Sequence, residues 1–134
     1  MAPHARGQHS CQQRFESLNS SSKFLICNSD PDNLSRQKPT VAEWLHMLVV
    51  NIPASNVLEG IMGGQAVMAY GTPAPGPRTG LHRYILLLWE HAGRRIAQPA
   101  PAQRAKFKVK AFQEKHNLGD PIAGNFFFAQ NDQQ

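Results

Sequence analysis

The sequence predicts a mainly β fold built on an antiparallel sheet, with one short helix near the C-terminus. Three observations predict it. Short apolar runs alternate with clusters of turn-forming residues, the punctuation of strands joined by loops. A loop with three prolines, Gly71 to Gly80, lies between two such runs and cannot pair in a sheet, because proline lacks the backbone donor. Apolar residues at helical spacing are found between Gln103 and Leu118, in front of a glycine.

The elements follow in order. Phe24 to Cys27 is an apolar run stopped by Asn28-Ser29-Asp30-Pro31-Asp32, a dense group of turn formers. Met47 to Ile52 is apolar on both faces and ends at Pro53, as expected of a central strand covered on both sides. Gln65 to Tyr70 is a shorter strand. Leu81 to Glu90, beyond the proline loop, carries the strongest strand signal in the chain. Between Gln103 and Leu118 two periods compete. Phe107 and Val109 alternate with Lys106, Lys108 and Lys110 as in a strand, while Val109, Phe112 and His116 are spaced as in a helix. Gly119 is a helix stop, so the spacing favours a helix from about Val109 to Asn117. Ile122 to Ala129 is the last strand.

At 134 residues the chain fits one domain, and residues 1–22 differ from the rest. They are polar apart from isolated positions such as Phe15 and Leu18 and end in Ser20-Ser21-Ser22. So little apolar surface cannot offset the entropy of ordering, so a disordered polar tail over 1–22 and a folded region over 23–134 are expected.

A formal charge of +5 and a pI near 9.6 imply a soluble chain that attracts anions without specificity. The basic residues are scattered, with one cluster at Arg104, Lys106, Lys108, Lys110 and Lys115, which reads as a solvated face and not as a nucleic-acid-tracking stripe. Cys11 and Cys27 lie in dissimilar settings, so no disulfide framework is expected. No stretch is apolar for long enough to cross a bilayer, and Met1 to Gln13 lacks a secretory signal's hydrophobic centre. A cytoplasmic location is therefore expected.

Ionisable residues gather where strands begin and end. If successive strands alternate in direction, Asp30 after the first strand, His46 at the start of the second, Tyr70 at the close of the third and His82 at the start of the fourth share one end of the sheet. The two-residue period puts His82 and Tyr84 on one face and Arg83 on the other, and by the same period groups His46 with Leu48 and Val50. A carboxylate, two imidazoles and a phenol beside the proline loop would suit a phosphate or carboxylate ligand, because imidazole donates hydrogen bonds in either protonation state. Plainer readings stand beside this one: a structural histidine at a strand start, Asp-Pro-Asp as a turn, Arg83 paired with Asp32, and Trp44 as core. Two histidines and a carboxylate could also hold zinc in a hydrolase, but nothing marks a general base or supporting shell. A non-enzymatic protein without metal or cofactor is expected.

These same residues carry a resemblance. Asp30-Pro31-Asp32, Glu43-Trp44-Leu45-His46, the loop from Tyr70 to Pro75, Gly80-Leu81-His82-Arg83-Tyr84 and the run from Gly119 to Phe127 resemble the phosphatidylethanolamine-binding protein family, which includes Raf kinase inhibitor-like proteins. The likeness runs from about Phe24 to Gln130. It implies a central antiparallel sheet with a small anion pocket at one end, and binding of phospholipid head groups or phosphorylated ligands with a possible regulatory role. The alternative is an inhibitor of a serine protease or a kinase cascade acting through protein contacts. By resemblance Asp30, His46, His82 and Tyr84 line the pocket, Ala74 and Pro75 border it, Asp32 and Arg83 brace it from behind, and Trp44 and Gly80 support it.

The chain departs from the family pattern in places. Asn33-Leu34 replaces a usual Ala-Pro, Val41 a common tyrosine, and Ala74 a glycine that would let a backbone amide approach an anion. The family's segments before the first motif and after the last are not matched, so a fold shortened at both ends is expected. Edges left bare by missing strands would cost on the order of 25 cal/mol per Å² of apolar surface in water, making marginal stability and aggregation expectations too.

Overall fold

The computed structural model describes residues 22–92 and 94–133; the tail expected over 1–22, up to residue 21, and Cys11 lie outside the described residues. Five strands form one sheet: β1 (Ser22–Asp30), β2 (Trp44–Pro53), β3 (Gln65–Met68), β4 (His82–Ala92) and β5 (Ala123–Ala129). Their order is β3-β2-β1-β4-β5, and every neighbouring pair is antiparallel. The mainly β, antiparallel fold read from the sequence is the fold observed.

β1 takes the centre, and β2 lies one position out. β4 does not return beside β3; it pairs with the free edge of β1, so the proline loop must carry the chain across the ends of β2 and β1. β1 also runs further than its apolar core suggests. Asn28 and Ser29 are turn formers, yet each is paired on both sides, Asn28 with Met47 and Leu86, Ser29 with Leu45 and Ile85. Two ladders override local turn preference.

At β2 both sheet faces are buried, which is why that strand reads as apolar throughout. One face buries Leu25, Cys27, Leu48, Val50 and Trp89 against Ile96, Val109, Phe112 and Leu118. The other buries Phe24, Met47, Val49 and Ile52, with Ile26, Leu88 and Ile122 packed against them. The Trp89 indole donates to the Gly119 carbonyl at 3.1 Å, satisfying the polar end of a fully buried ring.

Of the two periods seen between Gln103 and Leu118, the helical one is realised. Arg104 to Lys106 forms a bend and turn, with Lys106 at φ 60°, and Arg104 to Phe107 exchanges backbone bonds with Val41, Glu43 and Leu45. The helix, α1 (Val109–Lys115), then begins where the Val109 N–H donates to Glu43 Oε1 at 3.2 Å.

Two irregularities interrupt the β1–β2 ladder. Phe24 pairs with Ile52 and Ile26 with Val49, so an extra residue of β2 is accommodated; Asn51 there adopts φ 58°. Its amide exchanges two 2.8 Å bonds with the Ile96 backbone. At the other, Asn28 pairs with Met47 and Ser29 with Leu45, leaving His46 as the bulged residue. This reverses an expectation. Strict alternation groups His46 with Leu48 and Val50, but those two belong to the helix-covered face, while His46 packs against Tyr84 on the opposite one.

Candidate anion-binding site

Strand polarity brings the ends of β1, β3 and β5 and the starts of β2 and β4 to one rim. Asp30, the last residue of β1, is buried there and does two jobs. Its Oδ1 accepts the Asp32 N–H at 2.7 Å, closing the Asp-Pro-Asp turn, and its Oδ2 lies 2.8 Å from His82 Nδ1. His82 opens β4, also buried, and its Nε2 lies 2.8 Å from Thr79 Oγ1, whose hydroxyl donates to the Gly76 carbonyl at 2.7 Å. The ring is thus gripped from both sides, by the turn after β1 and by the proline loop.

His46 is held differently. Its Nδ1 donates to the Gly71 carbonyl at 2.8 Å, and Gly71 N–H returns a bond to the His46 carbonyl at 2.7 Å. The carbonyl cannot donate, so Nδ1 carries the proton and Nε2 is the free end of the neutral ring. Nε2 is buried and has no hydrogen-bond partner among the described residues. Burial lowers this imidazole's pKa; the Arg104 guanidinium adds to that, while the Gly71 bond and the Asp30 charge oppose it.

Tyr84 joins the two histidines. Its ring meets His46 edge-on at 5.2 Å, lies near-parallel to His82 at 6.4 Å and stacks on Phe127 at 5.1 Å. Burial, followed by the charges of Asp30 and Asp32, pushes the Tyr84 phenol up to about 12. It remains a neutral hydrogen-bonding group at any physiological pH.

Behind this cluster, Asp32 is clasped by Arg83. Asp32 Oδ2 accepts the Arg83 backbone N–H at 2.8 Å and Nε at 2.9 Å, while Oδ1 accepts Nη2 at 2.8 Å. That fork, the plain reading of Arg83, holds the Asp32 carboxyl below its ordinary range. Because Arg83 and His82 point to opposite faces of β4, the same turn after β1 is fastened on both.

The remaining expected residues are placed less centrally. Trp44 pairs with Asp30 in register and is partly buried at the rim, outside both core clusters. Ala74 is exposed, and Pro75 is partly buried with its carbonyl accepting Asn131 Nδ2 at 3.0 Å. Gly80 has φ 75°, a backbone conformation that favours glycine, with open space where a side chain would project. Tyr70 lies beyond β3 and is exposed.

Two residues that hold the rim carry no sequence signal pointing there. Thr79 is one, an ordinary loop threonine until the fold sets it against His82. Arg104 is the other, and it departs from the solvated basic face expected of its cluster. Its guanidinium donates to the carbonyls of Leu45, His46 and Ala69 at 3.0, 2.9 and 2.7 Å, stitching β2 to the start of the proline loop. A side chain at Gly71 would meet that guanidinium at 3.0 Å, so glycine there allows the close approach.

Among the described residues no group of three His, Cys, Asp or Glu side chains is arranged to hold a metal ion, and no helix is long and apolar enough to cross a membrane.

An antiparallel sheet whose rim joins a turn carboxylate, two imidazoles and a phenol beneath a proline loop defines a class, and comparison with known proteins supplies it. The family model described as phosphatidylethanolamine-binding protein matches residues 5–127, and the chain belongs to that family. Its structure is similar to that of the carboxypeptidase Y inhibitor complexed with its cognate proteinase, with a TM-score of 0.73 and 20% identity over 86% of this chain and 63% of that one. It is similar to the solution structure of CG7054, with a TM-score of 0.69 and 37% identity over 90% of this chain and 68% of that one. A phosphatidylethanolamine-binding protein from Plasmodium vivax aligns with a TM-score of 0.68 and 17% identity, covering 86% of this chain and 67% of that one. The chain therefore spans between 63% and 68% of the lengths of these three proteins.

Proposed function

We propose that the protein is a non-enzymatic binding module for a small anion, a phospholipid head group or another phosphorylated ligand, held at the rim formed by Asp30, His46, His82 and Tyr84. The observation that carries this reading is the buried Nε2 of His46, without a partner among the described residues, beside an Asp30 and a His82 that are tied to each other and to the turns around them. Leaving a buried polar atom unpaired costs on the order of 1–3 kcal/mol, and a ligand atom that supplies the missing bond recovers it. The neutral ring accepts from an ammonium or hydroxyl donor; the protonated ring donates to a phosphate oxygen. A head group bearing both phosphate and ammonium suits either state.

Titration with phosphorylethanolamine tests this by calorimetry. Wild type binds, His46→Ala loses at least about tenfold in affinity, and His82→Ala weakens binding by releasing Asp30. Equal binding by all three proteins would refute the assigned site. The reading sets the protein in the cytosol, where Cys27, buried and with its thiol pushed up to about 12 chiefly by burial, stays reduced.

A second reading is inhibition of a proteinase through protein contacts, favoured by the likeness to the carboxypeptidase Y inhibitor bound to its target. Inhibition of carboxypeptidase Y that survives His46→Ala would support it, and absence of inhibition by the wild-type chain would remove it.

A further inference from the structure

At the end of the sheet opposite the Asp30 rim, β4 finishes beside the last turn of α1, and a cleft of about 740 Å³ opens between them. We infer that this cleft is a second anion site, built for a small ligand carrying two or more phosphate groups. Its lining includes His91 at the end of β4, Arg94 and Arg95 just after it, and Lys115 and His116 on α1 and its cap. Three full cations and two imidazoles thus face one space of a size typical for small-ligand sites.

These charges are not spent on one another's neutralisation. Among the described residues, Arg94, Arg95 and Lys115 have no carboxylate at ion-pair distance. Their side-chain partners are neutral amides: Arg95 Nη2 donates to Gln65 Oε1 at 3.3 Å, and Lys115 Nζ lies 3.3 Å from Gln98 Oε1, which His116 Nε2 also meets at 2.9 Å. The one lining carboxylate, Glu90, accepts the Ser22 hydroxyl at 3.3 Å. His91 Nε2 is buried and has no partner among the described residues. An anion in the cleft would supply that partner and relieve the mutual repulsion of the cations.

Charge count sets the ligand class. The three cations less the Glu90 carboxylate leave a lining charge of +2, and protonation of the two imidazoles raises it to +4, beyond the two charges a phosphate monoester brings. Burial lowers the pKa of both histidines; at His91 a bond to the Arg94 backbone opposes this while Lys23 and His116 add to it, and Lys115 adds to it at His116. A bound polyanion favours the protonated rings, so the two imidazoles take up protons on binding.

Calorimetric titration of the full chain with inorganic triphosphate is the test. Expected are a binding event that is insensitive to His82→Ala, a loss of about tenfold or more in that event in Arg94→Gln/Arg95→Gln and again in Lys115→Gln, and binding of orthophosphate there at least about tenfold weaker. Two controls separate this cleft from other causes. His82→Ala, which disturbs the first rim, should leave triphosphate affinity within about twofold, as should Lys38→Gln/Lys110→Gln, which removes the same charge from exposed positions elsewhere. Thermal melts establish that each variant is folded. The inference is overturned if wild type does not bind triphosphate, if the cleft variants bind like wild type, if the distant lysine pair costs as much as the arginine pair, or if orthophosphate binds equally well.

Discussion

Replacing Asp32 by alanine should destabilise the protein out of proportion to the volume removed. The carboxylate is buried and receives three bonds of 2.8 to 2.9 Å from Arg83, two from the guanidinium and one from the backbone. Bonds to a charged group contribute about 1.5–3 kcal/mol each, and breaking a buried ion pair costs about 3–5 kcal/mol. The Arg83 side chain is 38% exposed, so its stranded charge regains water and the loss falls toward the low end, about 2–3 kcal/mol. For a folded unit of this size that is a drop of roughly 10–20 °C in melting temperature. Asp32→Asn keeps an acceptor for the Arg83 N–H and should lose less than half as much. Thermal and guanidinium unfolding followed by tryptophan fluorescence measures the effect, and Asp32→Ala/Arg83→Ala completes a double-mutant cycle. A loss below about 1 kcal/mol, or additive single effects, would refute the bracing role of this pair.

Other outcomes follow from the same geometry. His46, His91 and His116 are lowered in pKa chiefly by burial, so between the ordinary histidine value and the folded one the unfolded chain binds more protons. Stability should be full above neutrality and fall as pH drops from about 7 toward 5, with a second loss below about pH 4 as Asp32, lowered by Arg83, takes up a proton; a melting temperature constant across that range contradicts this. In a Cys11→Ser background, Cys27 should resist a thiol reagent at pH 8 until the chain unfolds, and labelling at the rate of a free thiol contradicts its burial. β5 is a sheet edge whose Phe126 and Phe128 are 58% and 50% exposed, so Phe126→Lys/Phe128→Lys should reduce light scattering at high concentration without lowering stability; unchanged association would place the sticky surface elsewhere.

Much of this architecture is legible in the residues themselves. Apolar runs such as Met47 to Ile52 and Leu81 to Glu90 must be buried wherever the chain folds, so their strands follow directly. The shared rim follows too, because alternating strand direction depends on connections and not on sheet order. β1 in the centre does not follow: its polar end, Asn28 to Asp30, becomes strand through two ladders that no local pattern records. The bulge at His46 is likewise invisible in a period of two, although it decides which face the imidazole occupies. Arg104 and Thr79 act through carbonyls and a ring brought close by the fold, and an arginine bonded to backbone has the same sequence signature as one in water.

The anion-binding role of the rim is tested most directly at its imidazole nitrogens. Long-range proton–nitrogen spectra of the histidine side chains, recorded while phosphorylethanolamine is added, should show His46 Nε2 moving with saturation, His82 following through Asp30 and Thr79, and His46 Nδ1 keeping its bond to the Gly71 carbonyl. Saturating ligand that leaves the His46 nitrogens unmoved would contradict it.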